Sequence, residues 1–130
     1  PAEAGERSRG ETGVRSLEHD IQAGFFKWAN MQLKVMPELR WMYAVANGGM
    51  RSKATAGRLK AEGVRAGVLD VNLPVPTNHY VGLWIEFKAG KNKLTPLQAE
   101  FAEWAKLQGH RVEVCYSIDE AIDAVREYLR

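Results

Sequence analysis

The spacing of apolar and polar positions divides the chain into eight elements. Over "LEHDIQAGFFKWANMQLKVM", residues 17–36, Leu17, Ile21, Phe25, Trp28 and Val35 recur at three- to four-residue spacing. That stripe predicts an amphipathic helix, capped by Ser16 and stopped by Pro37. "WMYAVAN" (41–47) reads as a strand closed by the Asn47-Gly48-Gly49 turn signal. Residues 50–66 read as a loop and a short helix ending at Gly63. "GVLDVNL" and "VGLWIEFKA" are strongly apolar strands, and the prolyl loop "PVPTNHY" between them suits an antiparallel, hairpin-like pair.

Thr95-Pro96-Leu97-Gln98 is an explicit helix start: Thr95 caps, Pro96 takes the first helical position, and Gln98 falls where a capping-box partner belongs. This helix is expected to bury Leu97, Phe101 and Trp104 and to stop at Gly109. "RVEVCY" is a last strand. "SIDEAIDAVREYL" is a final helix, with Ser117 and Glu120 as a second capping box and Ile118, Ile122, Val125 and Leu129 as its stripe. The order α-β-α-β-β-α-β-α predicts an α/β fold, a mixed central sheet with helices on both faces. At 130 residues the chain makes one domain, expected over residues 16–130. Residues 1–15, small, charged and glycine-containing, read as a flexible leader.

Composition changes this picture little, with 45% hydrophobic and 26% charged residues. A net charge of +2 does not announce a nucleic-acid binder. Its distribution says more: Arg51, Lys53, Arg58, Lys60 and Arg65 face a single acid, Glu62, over residues 51–65, and Lys91 and Lys93 follow the second apolar strand. In isolation such a run is a solvated face; beside a phosphate-cleaving site it is the expected footprint for a polyanion. The single cysteine, Cys115, excludes an internal disulfide and a cysteine-based zinc cluster, and the compartment reads as reducing and cytoplasmic. No apolar run approaches the roughly 20 residues of a membrane helix. His19, His79 and His110 lack metal-ligand spacing, although His19 adjoins Glu18, and no phosphate-binding P-loop occurs.

The chemistry gathers in the two apolar strands. Alternation puts Trp84, Glu86 and Lys88 on one face, opposite Leu83, Ile85 and Phe87. If the strands pair, Asp70 converges with Glu86. Two carboxylates at close range repel unless a divalent cation neutralises them, and oxygen donors of this kind suit Mg²⁺ or Mn²⁺. Lys88 lies about 6–7 Å further along the same face, where its ammonium can offset charge on a phosphate. The alternative is a structural ion pair, since an acid-x-Lys triplet is common.

The stretch "GVLDVNLPVP … GLWIEFKAGKNKLTPLQ" resembles the PD-(D/E)xK nuclease core, and more narrowly the virus-type replication-repair nuclease (VRR-NUC) domain. The upstream "ANGG" and the acid and glutamine of the first helix match as well, so the resemblance spans roughly Leu17 to Val114. Leu69 stands where the family usually has proline. The resemblance implies a restriction-endonuclease-like core and a Mg²⁺- or Mn²⁺-dependent endonuclease. Asp70, Glu86 and the Phe87 carbonyl would hold the metal, Lys88 would be the catalytic lysine, and Glu18 would match the helix-one acid that binds or approaches the metal. Gln22 lies on the same helical face as Glu18. Gln98 is the point of conflict, because the capping box and a site role beside the lysine compete for one amide.

The favoured expectation is a branched-DNA endonuclease of the Holliday-junction-resolving kind, acting as a homodimer. Its interface would use Trp28, Trp41, Met42 and Tyr43, which flank Pro37. The alternatives are a monomeric nuclease for flaps or other branched DNA and a non-catalytic DNA- or partner-binding module.

Overall fold

A computed structural model describes residues 2–46 and 52–130, with side chains from residue 13 onward. Eight regular elements appear in the expected order: α1 (Ala2–Met31), β1 (Tyr43–Ala44), α2 (Lys53–Ala61), β2 (Val71–Leu73), β3 (Leu83–Phe87), α3 (Pro96–Leu107), β4 (Arg111–Cys115) and α4 (Ile118–Tyr128). The strands form one sheet in the order β1-β2-β3-β4. β1–β2 and β2–β3 are antiparallel and β3–β4 is parallel. The sheet is therefore mixed. The parallel step exists because α3 carries the chain back between β3 and β4.

Leu83, Ile85 and Phe87 of β3 are fully buried on one face, where they meet Val71 and Leu73 of β2, Phe25 and Ala29 of α1, and Ala121 and Val125 of α4. Phe25 stacks on Trp28 and tilts against Phe87, so aromatic packing joins α1 to the sheet. α3 lies over the other face, where Phe101 meets the Trp84 ring edge-on.

Several boundaries differ from the sequence expectation. Ser16 lies inside α1 rather than capping it, and the helix ends at Met31 rather than Met36. Pro37 holds Met36 out of helical geometry (φ −128°, ψ 73°) and opens a short 3₁₀ helix, Pro37–Trp41, which buries Leu39. That helix takes Trp41 out of the expected strand, and β1 shrinks to two residues. Leu17, Val35, Leu97 and Trp104 were expected in helical stripes, yet all are exposed. α3 instead buries Ala102 and Ala105, small side chains that let the helix approach the sheet. The expected Asn47-Gly48-Gly49 turn lies outside the described residues.

Candidate active site

The β2–β3 register builds the site. Val71 pairs with Ile85, so Asp70, immediately before β2, stands opposite Glu86 on the face away from the core. The two residues are tied reciprocally. The Asp70 backbone N–H donates to Glu86 Oε1 at 3.1 Å, and the Phe87 backbone N–H donates to Asp70 Oδ2 at 2.8 Å. Each acid thus holds the main chain beside the other one. Lys88 follows on the same face, with Nζ 3.5 Å from Glu86 Oε2. Glu86 and Lys88 are 2% and 7% exposed, which rules out a solvated edge.

α3 supplies the fourth member. Thr95 Oγ1 accepts from the Gln98 N–H, and Gln98 Oε1 accepts from the Thr95 N–H at 2.9 Å, a complete capping box. The same side chain donates from Nε2 to Glu86 Oε2 at 3.0 Å. The conflict read from the sequence dissolves: one end of the amide caps the helix and the other holds the acid. The cap also fixes the amide's orientation, since Oε1 is already committed to Thr95.

Gly67 brings α3 close enough. Its φ is +89°, and a Cβ there would stand 2.9 Å from both the Leu97 carbonyl oxygen and Leu97 Cβ. Only glycine fits that conformation and that approach.

The electrostatics are those of buried, crowded acids. Burial, followed by the neighbouring Asp70 charge, pushes the Glu86 carboxyl up to about 8. Asp70 is also raised, chiefly by burial, while its hydrogen bond from Phe87 and the Lys88 charge pull the other way. One lysine does not balance two carboxylates in this setting. The donor set is hard oxygen, and with Glu86 ionised it carries one negative charge more than Lys88 offsets, which fits Mg²⁺ or Mn²⁺ displacing the Glu86 proton. Among the described residues no three acids, histidines or cysteines converge on one point. The protein would hold such an ion with the Asp70 and Glu86 carboxylates and the Phe87 carbonyl.

Glu18 stands at the end of β3, where its Oε1 accepts from the Ala89 N–H (3.2 Å) and from Asn92 Nδ2 (3.3 Å). Its charge reaches Asp70. No hydrogen bond among the described residues ties His19 or Gln22 to the site. Lys53, Arg58 and Lys60 lie exposed on α2, with Arg65 beyond it and Lys91 and Lys93 on the loop after β3. None of the six is in an ion pair among the described residues. Arg51 lies outside the described residues. The Val45 N–H donates to the Asp70 carbonyl at 2.7 Å, so the excursion carrying α2 closes at the site.

A solved structure described as a VRR_NUC domain protein superposes with a TM-score of 0.69 and 25% sequence identity, covering 85% of this chain and 86% of the other. The chain folds as a VRR-NUC domain. No family model matches the sequence, and no curated protein matches it. Structure thus carries the relationship, as the resemblance read from "IEFK" and "TPLQ" implied.

Sequence reasoning about this chain missed the Gly67 contact and the bonds of Glu18. The first had a signal, a glycine three residues before the acid. The second joins positions 71 apart, and no local pattern announces it. Among the described residues, no helix of the domain is long and apolar enough to cross a membrane.

Proposed function

We propose that this domain is a Mg²⁺-dependent endodeoxyribonuclease acting on branched DNA, with Asp70, Glu86 and the Phe87 carbonyl as metal ligands. The observation that carries the reading is the buried Asp70–Glu86 pair, set opposite by strand register and sharing one cation, Lys88. Structural ion pairs rarely bury a surplus acid, because the uncompensated charge costs several kcal/mol. Lewis-acid polarisation of the phosphodiester is the chemistry a bound Mg²⁺ supplies. Gln98 holds Glu86 oriented, and Lys88 presents an ammonium from a desolvated position, where it stabilises charge developing on the phosphate. The exposed cations Lys53, Arg58, Lys60 and Arg65, with Lys91 and Lys93, bind the DNA backbone.

The favoured substrate is a four-way junction, cut symmetrically by a two-fold dimer. Of the proposed interface residues, Met42 is buried and Trp28 packs on the core, which leaves Trp41 (66% exposed) and Tyr43 (48% exposed) as its material. The free, buried Cys115 suits a cytoplasmic enzyme.

Cleavage of junction, flap and duplex DNA, with Mg²⁺ and with EDTA, tests the reading. We expect Mg²⁺-dependent nicking of the junction and none by the Glu86→Gln variant. We also expect Lys88→Ala to lose rate more than metal affinity. Full activity in EDTA or in Glu86→Gln ends the hypothesis. A monomer by light scattering that prefers flaps overturns the dimeric, junction-resolving part alone.

A further inference from the structure

The loop after β3 is held far more firmly than an exposed loop requires. Asn92 is exposed, yet three of its atoms are bonded. Its N–H donates to the Ala89 carbonyl at 3.2 Å, its Nδ2 donates to Glu18 Oε1 at 3.3 Å, and its carbonyl accepts from Tyr116 Oη at 2.6 Å. The Ala89 N–H goes to the same Glu18 oxygen. Gly90, at φ +60°, provides the left-handed residue such a tight turn needs. α1 and the end of β4 therefore grip one turn from opposite sides, and the residues on either side of Asn92 are Lys91 and Lys93.

Packing does not explain this grip, because Gly90, Lys91, Asn92 and Lys93 are all exposed and no atom lies within 4 Å of a Cβ built on Gly90. What the grip fixes is the backbone that carries two ammonium-bearing side chains, three and five residues beyond Lys88 and in no ion pair among the described residues. Fixing that backbone in advance removes ordering cost from binding a polyanion.

We infer that Glu18, Asn92 and Tyr116 form a clamp that positions Lys91 and Lys93 as a preset phosphate contact beside the active site, with Glu18 acting as a positioning residue rather than a metal ligand. The inference rests on the DNA reading above and adds to it. A Glu18 oxygen shared by two N–H donors is already serving the turn, and the clamp needs its acceptor, not its charge.

The test separates ordering from charge. Junction binding is followed by fluorescence anisotropy in Ca²⁺ over a salt series, alongside Mn²⁺ titration calorimetry. Loss of the clamp in Asn92→Ala or Tyr116→Phe leaves both ammonium groups present, so affinity falls about fivefold while the salt slope stays as in wild type. Lys91→Ala with Lys93→Ala instead lowers the log–log slope by about 0.9 per lysine. Glu18→Gln keeps the acceptor and binds DNA better than Glu18→Ala, and its Mn²⁺ affinity equals wild type. Unchanged affinity in both clamp variants, or an unchanged slope in the double lysine variant, overturns the inference. So does a tenfold or greater loss of Mn²⁺ affinity in Glu18→Gln, which would make Glu18 a ligand. Wild-type protein without affinity for the junction overturns the DNA reading itself, and the clamp's purpose with it.

Discussion

Glu86 concentrates the tension between stability and chemistry. Its carboxyl is raised from an ordinary 4.5 to about 8 in the folded chain, first by burial and then by Asp70. The folded state keeps this proton where the unfolded chain has released it. The resulting stability is complete below the unfolded value and is lost as pH rises through about 8. We expect the melting temperature of the wild type to fall between about pH 5 and about pH 8 and then level off, and Glu86→Gln to lack that component. Excess Mn²⁺ at the upper end should restore wild-type stability by binding the ionised pair, and should do nothing for the variant. Thermal melts across pH, with and without metal, check both statements. At this scale the sequence was informative where alternation applies: Glu86 and Lys88 could be placed on one face from strand period alone, and Asp70 joined them only once the strands paired. Gln98 was half legible, because the capping box names one end of the amide and cannot say where the other end points.

At the scale of elements, the start of α3 is where helix capping and the site become one structure. Gly67 and the Thr95 cap seat the helix so that Gln98 reaches Glu86. Gly67→Ala forces a side chain against Leu97 in a left-handed conformation, and we expect it to cost about 1–3 kcal/mol. Thr95→Ala removes the cap hydroxyl and should cost about 0.5–2 kcal/mol. Denaturant titration measures both costs. Weaker Mn²⁺ binding in Gly67→Ala, with the Asp70 and Glu86 side chains untouched, would show that the helix seat transmits to the site. Capping signals gave the starts of α3 and α4 correctly, since those signals are local. They misplaced α1 and β1, where Ser16 has the residue type of a cap but sits mid-helix and Pro37 starts a 3₁₀ turn. They also overrated Leu97 and Trp104, because spacing marks a stripe without saying that Ala102 and Ala105 make the close contact.

For the molecule as a whole, the mixed sheet and its two helical layers followed from the order of elements alone. The hydrophobic surface left over did not. Met31, Val35, Trp41 and Tyr43 are exposed in and on either side of the 3₁₀ helix. If this region is the dimer contact, Trp41→Glu should turn a dimer into a monomer with its fold retained, as light scattering and circular dichroism would show. The Val45–Asp70 bond points in another direction. It ties the chain together at the mouth of the excursion that carries α2, and α2 buries no residue of its own. In architectural terms α2 is a cassette plugged into a finished socket. Exchanging it for a short glycine-serine bridge that keeps Gly67–Asp70 should leave a folded, metal-binding domain with most of its grip on DNA removed. A cassette of different length or charge would then be a way to retarget the same Asp70–Glu86 floor without redesigning it.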